Sequence, residues 1–141
     1  MFAPSLAEVR SFFCEAWRKH LAGEPLTPIE AIAADCAKEH PEHHPLLADP
    51  QRALGEDYSD GRQNPFLHLS LHLAVHEQVS IDQPPGIRAE VERLARLRGS
   101  WHEALHEAMH CLARALERAN GPSRAAPDEL AADYLDCLRR R

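Results

Sequence analysis

The sequence predicts an all-α chain, a single-domain bundle of five or six helices over residues 1–141 with a buried central helix near residues 65–81. Three observations carry that expectation. Helix-start signatures recur as capping boxes, in which a hydroxyl and a following Glu carboxylate each satisfy an orphan N–H: Ser5-Leu6-Ala7-Glu8, Thr27-Pro28-Ile29-Glu30 and Ser100-Trp101-His102-Glu103. Between them, apolar residues return every three or four positions. Finally, β-branched residues are nearly absent from the leucine-rich run of residues 66–75, and no other segment offers that run a strand partner. The length of 141 residues fits one domain with a core of its own, and 44% hydrophobic with 27% charged residues is a soluble globular balance.

The first helix is expected from about Leu6 to Leu21, with Leu6, Val9, Phe13, Ala16, Trp17 and Leu21 inward and Arg10, Arg18 and Lys19 outward. Gly23 to Leu26 ends it. The second starts at the Thr27 box, with Pro28 at the first helical position where its missing N–H costs nothing, and reaches Glu39 or His40. Pro41 interrupts it and equally opens a short helix over Glu42 to Ala48. Asp49 to Gln63, with Pro50, Gly55 and Gly61, reads as an irregular loop holding one helical turn.

Asn64-Pro65 is another start signal, and no formally charged residue follows until Glu77. Leucines at 67, 69, 71 and 73 alternate with His68, Ser70, His72 and Ala74 as in a half-buried strand. Leucine favours helices, however, and Asn-Pro is an N-cap followed by N1, so Pro65 to about Ile81 reads as a helix apolar almost all round and therefore central. Asp82 to Gly86 is a turn. A helix from Ile87 to Leu97 turns Val91, Leu94 and Leu97 inward, and the Ser100 box opens a long helix to about Ala119, closed by Asn120-Gly121-Pro122. The last helix, Pro127 to Leu138, places Leu130, Tyr134, Leu135 and Leu138 on one side.

Composition excludes several function classes. A net charge of −6 repels a phosphate backbone, and the Arg139-Arg140-Arg141 run suits a helix C-terminus, so no nucleic acid is expected as partner. No apolar run approaches a membrane span, and the first ten residues lack the basic region and apolar core of a signal peptide, which makes the cytoplasm the expected location. Cys14, Cys36, Cys111 and Cys137 form no CxxC pair and are expected as free thiols. Neither a Ser-His-Asp order nor a nucleotide or flavin motif is present.

The anomaly is ten histidines. Eight fall at a spacing of four: His40 and His44; His68, His72 and His76; His102, His106 and His110. Residues four apart lie about 6 Å apart on one helix face, so an HxxxH pair can aim both imidazoles at one ion. His68 and His72 occupy the charge-free helix; His102 and His106 edge the apolar stripe of the Ser100 helix, while His110 points to water. These four are the leading metal ligands, joined by His40, His44, Glu39 and Glu77. Glu42 is at hand, whereas Glu103 and Glu107 read as solvated face. Imidazole with carboxylate suits iron or zinc, and six histidines exceed what one tetrahedral zinc needs, which favours a two-metal centre.

The run from Asn64 to Ala74, with Glu77-Gln78 and Asp82-Gln83-Pro84-Pro85-Gly86-Ile87, resembles the signature of a small bacterial family, the domain of unknown function numbered 1841. Leu26 to Glu30, Glu39-His40-Pro41-Glu42 and His102 with His106 share the resemblance, which spans essentially the whole chain. It implies a proteobacterial cytoplasmic protein and no established activity. A more distant likeness is to haemerythrin-type di-iron bundles, through HxxxH and the His72-to-Glu77 spacing, although no HxxxE sits on a continuous helix. Three functions follow: a His/carboxylate non-haem centre, di-iron at its fullest, that binds or activates a small molecule; a metal-free interaction or regulatory protein whose histidines line a pH-sensitive core or a homo-oligomer interface; and metal storage or delivery.

Overall fold

In the computed structural model, residues 5–60, 62–121 and 127–141 are described, the side chains of residues 127 and 128 excepted. Among the described residues eight helices follow in order: α1 (Leu6–Ala22), α2 (Pro28–Lys38), α3 (His44–Leu47), α4 (Pro50–Gly55), α5 (Pro65–Ile81), α6 (Ile87–Arg98), α7 (Trp101–Ala119) and α8 (Pro127–Arg139), with a 3₁₀ turn at Pro41–His43 before α3. Among the described residues there is no strand. The count exceeds the expected five or six because Pro45 and Pro50 each sit in a first helical turn and split the stretch after α2 into two short helices. Gly61 and Pro122, read as a loop residue and a helix stop, lie outside the described residues.

All three expected serine or threonine caps form. Ser5 Oγ accepts from Glu8 N–H at 3.1 Å and Ser100 Oγ from Glu103 N–H at 3.1 Å. At Thr27 the full reciprocal box closes, Thr27 N–H donating to Glu30 Oε1 at 2.9 Å while Glu30 N–H donates to Thr27 Oγ1 at 3.3 Å. Asn64 Oδ1 accepts from the N–H groups of Phe66 and Leu67 at 2.9 and 3.3 Å, fixing the start of α5 as a helix. Asp82, at φ 52°, turns the chain after α5, and its Oδ1 accepts from Gly86 and Arg88 N–H at 3.2 and 3.0 Å. Gly86 follows at φ 101°, a conformation that side chains with a Cβ rarely adopt.

The chain divides into two compact units, Met1–Leu73 and Ala74–Arg141, with the division falling inside α5. In the first, α1 packs on α2, α3 and α4 around Phe13, Trp17, Ala33, Cys36, Leu46, Leu47, Phe66 and Leu69. Arg10, expected outward, is buried: its Nη1 donates to Ala53 O at 2.9 Å and Glu56 O at 2.7 Å, and the guanidinium lies 5.4 Å from the ring centroids of both Tyr58 and Phe66. Carbonyls at a helix C-terminus lack intrahelical donors, and this cation supplies them for α4. Lys19 holds α1 to α2 through Glu30 at 3.0 Å.

In the second unit α6, α7 and α8 pack together around Val91, Leu94, Leu105, Ala108, Leu112, Tyr134 and Leu138. Tyr134 Oη donates to Gln78 Oε1 at 2.7 Å, and Arg93 Nη2 donates to Leu138 O at 3.0 Å. Cys111 and Cys137 form a disulfide between α7 and α8, which corrects the expectation of four free thiols; Cys14 and Cys36 remain thiols.

Burial also corrects the helix faces. Leu6, Leu21 and Leu97, expected inward, are exposed, because each lies at a helix end beyond the neighbouring helices' cover. In α5, Phe66, Leu69, His72 and Val75 are buried, whereas Leu67 is 58% and Ile81 60% exposed.

Candidate metal site

Four histidines of the first unit, His40, His43, His68 and His72, gather where the end of α2, the 3₁₀ turn and the start of α5 meet. His40 follows α2, and Pro41 forces the next residues into the 3₁₀ turn. Its period of three residues places His43, not His44, beside His40, and the two rings stack at 5.6 Å between centroids with planes 27° apart. His68 and His72 project from one face of α5, one turn apart, with ring centroids 5.1 Å from each other.

The two strands of this arrangement join at short range. His40 Nε2 and His72 Nε2 lie 2.9 Å apart, a hydrogen bond in which one ring carries the proton and the other accepts. Both rings are deeply buried, His40 at 5% and His72 at 1% exposure. The His68 ring stands edge-on to His40 at 4.3 Å. One ring nitrogen from each of His40, His68 and His72 lies within 4.8 Å of the other two.

Outer groups orient these rings. Glu42 Oε2 lies 3.2 Å from His40 Nδ1, and His43 Nε2 lies 3.2 Å from His68 Nδ1. With protons on both Nδ1 atoms, Glu42 and His43 accept them, and the Nε2 lone pairs of His40 and His68 turn inward. A carboxylate on the far nitrogen of a ligating imidazole raises its basicity and fixes its tautomer. Glu42 stays ionised: its own backbone N–H and the His40 ring hold its carboxyl below the usual range. Burial depresses the pKa of His43, an effect Glu42 partly opposes, so His43 is neutral near pH 7 and able to accept.

The spacing fits an ion. A tetrahedral zinc with bonds of about 2.0–2.1 Å sets its ligand nitrogens about 3.3–3.4 Å apart, so the 2.9 Å pair has to part by about 0.4 Å. Side-chain torsions absorb that easily. Cys36 adds a sulfur within 4.8 Å of a His72 ring nitrogen, but burial, with Glu39 and Asp35 nearby, pushes its thiol up to about 12. It therefore stands beside the cluster as a neutral thiol.

His44 Nε2 donates to Ala37 O at 2.8 Å and its ring stacks on Trp17 at 4.3 Å, so its nitrogen closes the end of α2. Glu39 is exposed, and in the second unit so is Glu77. Also in that unit, His102 and His106 face each other on α7 with ring centroids 4.1 Å apart, and His110 is exposed. Glu107 is engaged by Arg98 through two bonds of 3.0 Å.

Sequence reasoning missed His43 and underrated Glu42, because both depend on a turn whose period is three. It also missed Cys36, which no ligand spacing ties to His72.

The family model for the domain of unknown function DUF1841 matches residues 5–140. The chain belongs to that family. The matched span covers every histidine of this DUF1841 chain, the 3₁₀ turn and all eight helices, in keeping with the resemblance of the Asn64-to-Ala74 run. No curated protein and no solved structure matches the chain, so the ligand set of this DUF1841 member is argued from its own geometry. Among the described residues, no helix is long and apolar enough to cross a membrane.

Proposed function

We propose that this chain binds a transition-metal ion, iron or zinc, through His40, His68 and His72, with Glu42 and His43 orienting the inner rings. The observation that carries the reading is the 2.9 Å approach of the His40 and His72 Nε2 atoms in a buried setting, with the His68 ring beside them. A structural hydrogen bond needs two imidazoles; a third ring and an outer carboxylate are what a metal site adds. The bound ion supplies Lewis acidity, or redox chemistry if it is iron, while the buried rings keep water from all but an open coordination position.

The donor set is rich in nitrogen, with Glu42 on the outer nitrogen of His40, which supports a single ion in this unit more than a carboxylate-bridged pair of irons. His102 and His106 are proposed as further ligands from α7, on the strength of their spacing and their 4.1 Å ring contact. Binding or activation of a small molecule at the first site, with storage or delivery as the second use, completes the proposal.

The test is a zinc and an iron(II) titration of the full chain and its variants, followed by the shift in thermal midpoint. Near-stoichiometric binding that His72→Ala and His40→Ala abolish, while His44→Ala leaves it intact, supports the assignment. Circular dichroism checks that the variants fold. Sub-stoichiometric metal after loading, with an unchanged midpoint, refutes it in favour of a metal-free core.

A further inference from the structure

The second unit carries chemistry that the metal reading does not use. The disulfide ties the middle of α7 to the last turns of α8, with a Cα–Cα distance of 5.6 Å. Its two sulfurs differ in access, since Cys111 is fully buried whereas Cys137 is half-buried. Both cysteines line an open groove with Arg114, Arg118, Arg140 and Arg141, and with the carboxylates of Glu117, Asp133 and Asp136. Arg118 is paired with Asp133 at 2.5 Å and Arg141 with Glu107 at 3.6 Å. Among the described residues, neither Arg114 nor Arg140 forms an ion pair, so two guanidinium groups face solvent beside the sulfurs.

We propose that Cys111–Cys137 is a thiol–disulfide exchange site, opened at Cys137 by a small anionic thiol. Attack requires a thiolate in line with the S–S bond, and the half-buried Cys137 offers the approach that Cys111 denies. The thiolate forms a mixed disulfide on Cys137 and expels the Cys111 sulfur, which takes a proton. A second thiol attacks the incoming sulfur and releases Cys137 as a thiol. The balance is one protein disulfide plus two small thiols giving two protein thiols and one small-molecule disulfide. Arg114 and Arg140 favour an anionic reagent over a cationic one and stabilise the Cys137 thiolate as it leaves.

Both redox states keep the helix pair. The crosslink joins helices that already pack through Tyr134, Leu135 and Leu138, each buried, so opening it exposes a thiol without releasing α8. Cys14 and Cys36 are buried with raised pKa values, which leaves Cys137 as the accessible sulfur.

Three two-carbon thiols of different charge test the proposal on the full chain: 2-mercaptoethanesulfonate, 2-mercaptoethanol and cysteamine. Rates are normalised to thiolate concentration, and adducts are located by peptide mass spectrometry. The anionic thiol is expected to open the bond roughly tenfold faster than the cationic one at low salt, with the gap closing in concentrated salt. The mixed disulfide is expected on Cys137, and Arg114→Glu with Arg140→Glu, both exposed positions, is expected to reverse the charge preference. Four free thiols in protein purified without reductant, a bond that opens only in denaturant, rates indifferent to thiol charge, or an adduct on Cys111 would each overturn it.

Discussion

Replacing Arg10 with Met removes a cation while keeping much of its apolar volume. Its Nη1 donates two hydrogen bonds, 2.9 Å to Ala53 O and 2.7 Å to Glu56 O, and the residue is 8% exposed. Hydrogen bonds from charged donors to buried acceptors contribute about 1.5–3 kcal/mol each. Two carbonyls at the end of α4 lose their donor, and the stacking on Tyr58 and Phe66 is lost with it. Methionine restores part of that packing, so the expected destabilisation is about 3–4 kcal/mol. Urea unfolding followed by circular dichroism measures it, with the thermal midpoint falling by roughly 10 °C at about 3 °C per kcal/mol for a chain of this size. Arg10→Lys keeps the charge but not the planar fork and should fall between the two. A loss below about 1 kcal/mol in Arg10→Met would show that the guanidinium is solvated and that α4 ends without it.

Three further outcomes follow from the same contacts. Cys36, buried and with its thiol pushed up to about 12, should resist iodoacetamide in the native chain and react once urea unfolds it; fast native labelling contradicts its burial. Burial lowers the pKa of His43 below its ordinary value near 6.5, so the unfolded chain binds more protons as pH drops through that region. Metal-free stability should therefore be full above about pH 6.5 and fall as pH decreases toward the lower folded value, a slope that His43→Asn flattens, while the lowered carboxylates such as Glu30 act only below about pH 4.5. Gln78→Leu leaves the Tyr134 hydroxyl without its acceptor and should cost about 1–3 kcal/mol, whereas Tyr134→Phe in the same background restores part of the loss.

The helices were legible because their signals are local. Ser5 with Glu8, Thr27 with Glu30 and Ser100 with Glu103 are three residues apart, and each hydroxyl caps its helix, the reciprocal carboxylate bond closing at Thr27. Arg10 shows where charge misleads. Its position, three before Phe13 and seven before Trp17, lies on the inner face, yet its charge argued for solvent until α4 supplied two carbonyls from more than forty residues away. The candidate site was half legible for a similar reason. His68 and His72 follow the α-helical period and converge as the pattern implies. Carrying that period across Pro41 paired His40 with His44, whereas the 3₁₀ turn puts His43 beside His40 and sends His44 to Trp17 and Ala37. The Cys111–Cys137 bond was illegible because 26 residues separate the pair and only the packing of α7 on α8 brings them together.

The central claim is that imidazoles from His40, His68 and His72 hold one ion. X-ray absorption at the metal edge of the zinc-loaded full chain tests it most directly. The account predicts a shell of nitrogen or oxygen at about 2.0–2.1 Å, multiple-scattering features of imidazole that weaken in His72→Ala, and no sulfur near 2.3 Å. A sulfur-dominated shell, imidazole features indifferent to His72, or failure to retain about one zinc per chain would contradict it.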